Sequence, residues 1–543
     1  MNKENKNQNV FGIIGLGTMG SNLLQNIADH GYSVAGYNRS HEKVDTLNQL
    51  NRDNIQGFKD LKEFVNSLKT PRAVMMLVSA GQAVDAVIEE LLEVMDEGDI
   101  IIDGGNSHFT DTERRFEDLK KKGFHFLGMG VSGGEEGARK GPSMMPGGDR
   151  KAYDWVAPIL EKIAAHVDSE PTVGYMGVRS AGHFVKMVHN GIEYALMQLI
   201  SEAYDVMKNG LHLDDKEIHN VFEKWNEGRL QSYLLEITRD IFAFKKSGED
   251  PLLLNDIKDE AKAKGTGKWT SQAAMDLSVP IPSIDISVAM RDLSKYKTLR
   301  TKAAAIYPSS EDAIYPDNNG DYIAQLEEAF YFSMVSAYAQ GMHLLYGANE
   351  EYKYGLNMEL IAKIWRGGCI IRAAFLEDIY AAYENNPQLE HLFLDDSIHN
   401  TMSKSIPGIR AVVSDAVKFG IAVPAFSASL SYFDDLRNEN MPTNLIQAQR
   451  DYFGAHTYGR IDTEGIFHTE WITTTKNDVK MEKPKNDPSS KEPRTMLDQV
   501  VGSMQDIKTN EDFNNEHPAH DENGLINVNS GGDDENPTLA SSN

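Results

Sequence analysis

A single cysteine in 543 residues, Cys369, rules out an intramolecular disulfide. A thiol without a partner fits a reducing compartment. Cys369 stands in the apolar run 367–371, where it reads as a small core residue rather than a nucleophile. Positive charge is also scarce. The 54 Lys and Arg against 81 Asp and Glu leave a formal net charge of -27 at pH 7. A nucleic-acid binder carries a basic face, so this balance argues against that class. It also obliges any anionic substrate to be held by local positive charge, against the field of the whole protein. No uninterrupted apolar run reaches membrane-spanning length. The polar residues 1–10 lack the apolar core of a signal peptide. The expected location is the cytoplasm, with neither membrane nor nucleic acid as partner.

What is present is the profile of a globular enzyme, 41% hydrophobic and 25% charged. Apolar runs at 10–16, 32–38, 73–79, 99–105 and 124–134 read as strands, separated by helical stretches. That alternation predicts a Rossmann-type, doubly wound parallel sheet over residues 1–180. From 181 the strand signals fade. Long helical patterns such as 183–207 and 322–345 predict a large all-α domain over 181–438. Residues 439–472, rich in turn formers and aromatics, are expected to be ordered but unable to fold alone. Residues 473–543 hold 14 Asp and Glu against 7 Lys and Arg, with few large apolar side chains. Such a segment cannot bury enough surface to offset its chain entropy and is expected to be a disordered acidic extension.

The run Gly15-Leu16-Gly17-Thr18-Met19-Gly20 follows a predicted strand and opens a predicted helix, the context in which G-x-G-x-x-G signals a dinucleotide. Gly15 permits the tight turn, Gly17 lets a pyrophosphate approach the backbone at a helix N-terminus, and Gly20 allows helix and strand to pack closely. An NAD enzyme places an acidic residue at the end of the second strand, to bind the ribose hydroxyls. This chain has Asn38-Arg39-Ser40 there. An arginine fork pairs with a 2′-phosphate that a carboxylate would repel, so the cofactor is expected to be NADP.

The segment 183–198 is apolar around most of its circumference, as a buried helix would be. Yet Lys186, His189, Asn190 and Glu193 fall on one face at i, i+3, i+4 and i+7. An amine and a carboxylate two turns apart are too far along the axis for a good direct pair, which favours a ligand between them. Gly191 weakens a helix by about 1 kcal/mol relative to alanine, which suggests close approach at that point. Upstream, Val131-Ser132-Gly133-Gly134 ends a strand in exposed N–H groups and a hydroxyl suited to a carboxylate. Residues 141–148 read as a continuation of that irregular loop.

In order, GLGTMG (15–20), NRS (38–40), IIDGGNSHFTDTERR (101–115), GMGVSGGEEGARKGPSMMPGG (128–148), HFVKMVHNGIEY (183–194), KGTGKWT (264–270) and LIQAQRDYFGAHTY (445–458) resemble the signatures of the bacterial-type 6-phosphogluconate dehydrogenase family. The resemblance runs from about residue 10 to Trp471. It implies NADP-dependent oxidative decarboxylation of 6-phosphogluconate to ribulose 5-phosphate. Lys186 would be the general base on the C3 hydroxyl, and Glu193 the acid that protonates C1 of the enediol. No metal is implied, since the β-keto group itself accepts the electrons of decarboxylation. Carried over by position, Val78 and Asn106 join the cofactor residues. Asn106, Ser132, Gly133, Gly134, His189 and Asn190 would hold the sugar acid. Tyr194, Lys264 and Arg291 would bind its phosphate, and Arg450 and His456 would complete the site of a neighbouring subunit in a homodimer. The extension after Trp471 departs from the family's usual end.

Overall fold

A computed structural model describes residues 8–245, 252–307, 319–471 and 478–481. Seven strands form one sheet: β1 (Phe11–Ile14), β2 (Val34–Tyr37), β3 (Ile55–Phe58), β4 (Ala73–Met76), β5 (Ile100–Asp103), β6 (His125–Ser132) and β7 (Ser143–Gly148). Their order is β3-β2-β1-β4-β5-β6-β7. The first six pair in parallel, with Ile14 opposite both Tyr37 and Met76. Every residue of β1, β4 and β5 is buried, because helices cover both faces and leave no outward position for a polar side chain. The chain runs outward from β1 to β3 and then returns to β4 on the other side of β1. This reversal opens a crevice at the carboxyl ends of β1 and β4, the place where such sheets take ligands.

Two strands depart from the sequence reading. Residues 143–148, expected as loop, form β7, which runs antiparallel to β6 with Met129 opposite Pro146. The proline is tolerated because β7 has no further strand beyond it. The backbone of 172–177 covers its outer side instead, through Met144 N to Thr172 O and Met176 N to Pro146 O. The sheet is therefore mixed rather than wholly parallel. The other unforeseen strand is β3, only four residues long and half-exposed.

After the sheet the chain is largely helical. Residues 330–335 are buried in an unbroken run within the helix Asn319–Tyr352, so the middle of that helix is enclosed on all sides. It extends beyond the expected 322–345. The helix Asp396–Phe419 packs along it, and a Cβ at Gly408 would lie 2.5 Å from the Glu328 side chain. Asp395 caps that helix by accepting from the N–H groups of Ser397 and Ile398, and Gly420 ends it at φ 74°. These helices, Pro424–Leu436 and Ala181–Asp205 share one apolar core that also takes in Phe109 and Met145 from the sheet half. The helix expected at 183–207 is α-helical over Ala181–Asp205 and continues as a π-helical turn, Val206–Gly210.

The segment 439–471 is ordered. It contains the helix Thr443–Gly454 and the strand Ile466–Thr469, organised around the fully buried Asp451. That carboxylate accepts from Thr457 N, Thr469 N and Trp471 Nε1 at 2.9–3.0 Å and faces His468 Nδ1 at 2.9 Å. The expectation of disorder over 473–543 falls outside the described residues except at Asp478–Met481. There it does not hold, because a strand pairs antiparallel with Ile466–Thr469. Among the described residues no helix is long and apolar enough to cross a membrane.

Candidate active site

At the end of β1 the chain turns through Gly15 at φ +96° and enters the helix Thr18–Asp29, with Gly17 at the N-cap. Leu77 O would lie 2.4 Å from a Cβ at Gly15, and Gly15 O would lie 1.9 Å from one at Gly20. Any side chain at either place would break the turn. A Cβ at Gly17 would meet nothing within 4 Å. The helix thus begins with bare backbone N–H groups facing open space, a cradle suited to a pyrophosphate. Asn38 braces this turn from β2 by accepting from Leu16 N at 2.9 Å and donating to Ser40 O. Thr18 and Ser40 are exposed and Met19 is half-buried.

Beside the turn lies a cleft of about 310 Å³ whose lining includes Tyr37, Arg39, Lys43, Val78 and Glu90. Arg39 reaches across it to Glu90 at 2.5 Å, with both side chains substantially exposed. Lys43 and Glu90 escaped the sequence reading. Lys43 stands in the first turn of the helix His41–Asn48, directly after the Asn38-Arg39-Ser40 run, a second positive charge there that could have flagged it. Glu90 comes from a separate helix and left no local signal.

The helix Ala181–Asp205 crosses β6 and β7 at very short range. A Cβ at Gly130 would lie 2.3 Å from Lys186 Cβ, and one at Gly182 would lie 2.3 Å from Gly128 O. This approach seats Lys186 over β6, buried together with His189 and Asn190, while Glu193 at the end of the strip is partly exposed. Lys186 Nζ donates to Asn190 Oδ1 at 2.6 Å and lies 3.1 Å from His189 Nδ1. His189 Nε2 lies 3.1 Å from Ser132 Oγ, which also accepts from Ile370 N at 3.4 Å. Glu193 Oε2 is 4.0 Å from His189 Nδ1. The amine thus bonds to its neighbours on the helix and not to the carboxylate. Asn106 is exposed on the loop after β5, and Gly133 and Gly134 carry β6 into the helix Gly134–Lys140.

Burial sets the protonation states. It lowers the Lys186 amine from 10.5 to about 8, opposed by the Glu193 charge. It holds the His189 imidazole well below its ordinary range, helped by the Lys186 charge, so His189 is neutral. It raises the Glu193 carboxyl, with the charges of Lys186 and Arg291 pulling the other way. An amine lowered and a carboxyl raised on one helix face are shifted in the directions that a base and an acid require. By contrast the Cys369 thiol, fully buried and donating to Trp365 O, is pushed up to about 12 and is inert.

The close approach suggested at Gly191 is made by the protein itself. The Thr270 side chain occupies the space beside it, 2.6 Å from a Cβ placed there, and Thr270 Oγ1 donates to Met187 O at 2.8 Å. A neighbouring helix, Thr266–Asp276, makes the close approach. That packing carries the 264–270 segment to the site. Gly267 lies against the Tyr194 ring, and Arg291 covers the same ring at 3.6 Å. Lys264 is exposed at the start of this segment. Arg450 and His456 are not gathered in. Arg450 donates to Gln447 one turn back, and His456 packs edge-on against Phe453, so both are held by their own segment. Among the described residues no cluster of three or more His, Cys, Asp or Glu could hold a metal ion.

Residues 10–177 match the family described as the NAD binding domain of 6-phosphogluconate dehydrogenase, and residues 182–471 match the 6-phosphogluconate dehydrogenase C-terminal domain. The chain is 50% identical over 466 residues to a decarboxylating 6-phosphogluconate dehydrogenase of Lactococcus lactis, covering 85% of this chain and 98% of the relative. It is also 50% identical over 463 residues to an NADP(+)-dependent, decarboxylating 6-phosphogluconate dehydrogenase of Bacillus subtilis, covering 85% and 99%. Among solved structures, the Plasmodium falciparum 6-phosphogluconate dehydrogenase superposes with a TM-score of 0.82 at 47% identity, covering 85% of this chain and all of that one. That protein was solved in its apo form, with NADP+ and with 6-phosphogluconate.

Proposed function

Since the chain belongs to the 6-phosphogluconate dehydrogenase family, we propose that it converts 6-phosphogluconate and NADP to ribulose 5-phosphate, carbon dioxide and NADPH through the Lys186–Glu193 strip. The observation that carries this reading is the buried Lys186, lowered to about 8 and poised over the Ser132–His189 pair. The glycine cradle fits a dinucleotide, and Gly15, Leu16, Gly17, Thr18, Met19, Gly20, Asn38, Arg39, Ser40, Val78 and Asn106 are the residues that would hold NADP. When bound, NADP supplies the acceptor for the hydride that leaves C3.

Neutral Lys186 takes the proton of the C3 hydroxyl as C3 becomes a ketone. Ser132, Gly133, Gly134 and Asn106 orient the sugar acid, and His189, neutral, and Asn190 hold Lys186 in place through its two bonds. The 3-keto acid loses its carboxyl group as carbon dioxide, the electron pair of that bond forms a carbon–carbon double bond, and Lys186 returns its proton to the former C3 oxygen, which gives the enediol. Glu193, protonated, gives its proton to C1 of the enediol while neutral Lys186 takes the hydroxyl proton back, which yields the ketose. Tyr194, Lys264 and Arg291 bind the phosphate against the net negative charge of the chain. Arg450 and His456 serve the neighbouring site of a homodimer. The exposed Leu445, Ile446, Tyr452 and Phe453 support that assembly, because they give the Thr443–Gly454 helix an apolar face. The cytoplasm is the proposed location, which the lone, fully reduced cysteine supports.

The direct test mixes the purified protein with 6-phosphogluconate and NADP, following nicotinamide absorbance and released carbon dioxide together. Equal amounts of both products are expected, and NADPH without carbon dioxide would overturn the decarboxylating assignment. Cofactor choice has its own test. Arg39→Ala removes one charge-assisted contact to the 2′-phosphate, worth about 1.5–3 kcal/mol, or roughly 10- to 150-fold in NADP affinity. NAD affinity should hardly change. Equal losses for both cofactors in a binding titration would show that Arg39 does not read the phosphate.

A further inference from the structure

The helix Phe109–Lys121 carries the Thr-Glu-Arg-Arg end of a sequence signature to which no chemistry has been assigned. Its Arg115 side chain is 2% exposed and ends at the centre of a polar network. Nε donates to Asp85 Oδ1 at 2.7 Å, and Nη2 donates to Asp85 Oδ2 at 3.1 Å and to Gly81 O at 3.0 Å. Nη1 lies 3.4 Å from both Asp103 Oδ2 and Ser107 Oγ. Asp103, fully buried at the end of β5, accepts from Gly105 N at 3.0 Å and Ser107 Oγ at 2.6 Å, and so shapes the loop that bears Asn106. Gly81 closes the loop that bears Val78. The two loops touch, since a Cβ at Gly105 would lie 3.2 Å from Val78 O. The same helix also reaches the site helix, through Thr112 to His183 Nδ1 at 2.7 Å and Glu113 to Ser180 Oγ at 2.7 Å.

We propose that Arg115 is a positioning residue which binds the Val78–Gly81 loop to the Asn106 loop and so sets cofactor and sugar acid at a reactive separation. It touches neither. Its planar fork reaches two loops and a second helix at once, which a lysine's single nitrogen cannot do. Misplacing reacting groups by a fraction of an ångström slows a reaction without unfolding the protein that holds them.

This inference rests on the proposed dehydrogenase reading, and its test separates the two. Turnover by the parent protein examines the reading; only the ratio of variant to parent examines Arg115. Arg115→Lys keeps the charge and loses the fork. We expect kcat/KM for 6-phosphogluconate to fall by about 10- to 100-fold. The affinity for 2′,5′-ADP, which occupies only the Arg39 end of the cleft, should remain that of the parent. The kinetic isotope effect with substrate deuterated at C3 should rise as hydride transfer becomes limiting. A parent-like kcat/KM would overturn the proposal. So would a loss of 2′,5′-ADP binding equal to the loss of rate, because that would mark general disruption of the domain. Should Arg115→Lys fail to fold, Asp85→Asn carries the same test. It leaves the buried Arg115–Asp103 pair in place and weakens the link to the helix Gln82–Leu92, which Arg114 shares through its own bonds to Asp85, so Arg114→Ala serves as the control that should keep the parent's rate. The same separation of rate from 2′,5′-ADP affinity is expected, and its absence would count against Arg115 equally.

Discussion

Lys186→Met should lower turnover by about 10²- to 10⁴-fold or more while NADPH still binds with the parent's affinity. Methionine matches the length of the lysine stem and fills the same space over Gly130, but offers no lone pair to the C3 hydroxyl. Near-parent turnover would remove Lys186 from the role of base. The pH profile of the parent gives a second reading. Lys186 and Glu193 share a helix face, and the arrangement proposed to react has a neutral amine and a protonated carboxyl. It holds one proton, as does the charged pair, so the two interconvert without any change with pH. The rate should therefore be bell-shaped. It falls on the alkaline side near pH 8, where the last proton leaves, and on the acid side as a second proton binds. A rate that rises without limit above pH 8 would show that the proton on Glu193 is not required.

The same substitution has a signature in stability. The Lys186 amine titrates at about 8 in the folded chain and at 10.5 when free. Between those values the unfolded chain holds a proton that the folded one lacks, so the parent grows more stable as pH rises through that window. Below pH 8 both states are protonated, and the cost of a buried charge is fully present. Methionine carries no such cost. The stability of Lys186→Met relative to the parent should therefore be highest below pH 8 and decline by about 3 kcal/mol toward pH 10.5. Chemical denaturation at the two pH values checks this, and a constant difference would mean that burial does not depress the amine.

What could be read from the sequence divides along physical lines. The dinucleotide turn was legible because its requirements are local. A strand, a turn with glycines where no Cβ fits and a helix N-terminus follow one another within ten residues, and the structure reproduces each step from β1 to Gly20. The polar strip proposed to be catalytic was legible because four polar residues at helical spacing stand out on an otherwise apolar helix. Its internal bonding, with Lys186 held by Asn190 rather than paired to Glu193, follows from the same spacing. The features that were misread, or read only in part, depend on contacts far apart in the chain. Pro-Ser-Met-Met-Pro-Gly-Gly has the composition of a loop, and only β6 on one side and residues 172–177 on the other make it a strand. Gly191 signalled a close approach correctly, but the identity of the approaching group, Thr270, was 79 positions away. The order of the 439–472 segment depends on Asp451, whose partners lie 6 to 20 residues further on. The Arg115 network joins four segments, none of which carries a sign of the others.

Mixing two inactive proteins, Lys186→Ala and Arg450→Ala, should restore activity once their subunits exchange. Arg450 and His456 stand on a segment that folds around Asp451 yet leaves Leu445, Ile446, Tyr452 and Phe453 in solvent, and that binds neither residue to its own site helix. A second copy placed by a two-fold axis would cover that face and receive both side chains, and the exchange would be reciprocal. In a mixed dimer one site then collects both defects. The other takes an intact Lys186 from one chain and an intact Arg450 from its partner. Equal and random mixing makes about half of the dimers mixed, so roughly a quarter of all sites should be whole. The recovered rate should approach that fraction of the parent's and follow the time course of exchange, measured independently with two affinity tags. If Arg450 serves its own chain instead, every site in every dimer carries one defect. Complete exchange without recovery would then place the tail residues within their own subunit.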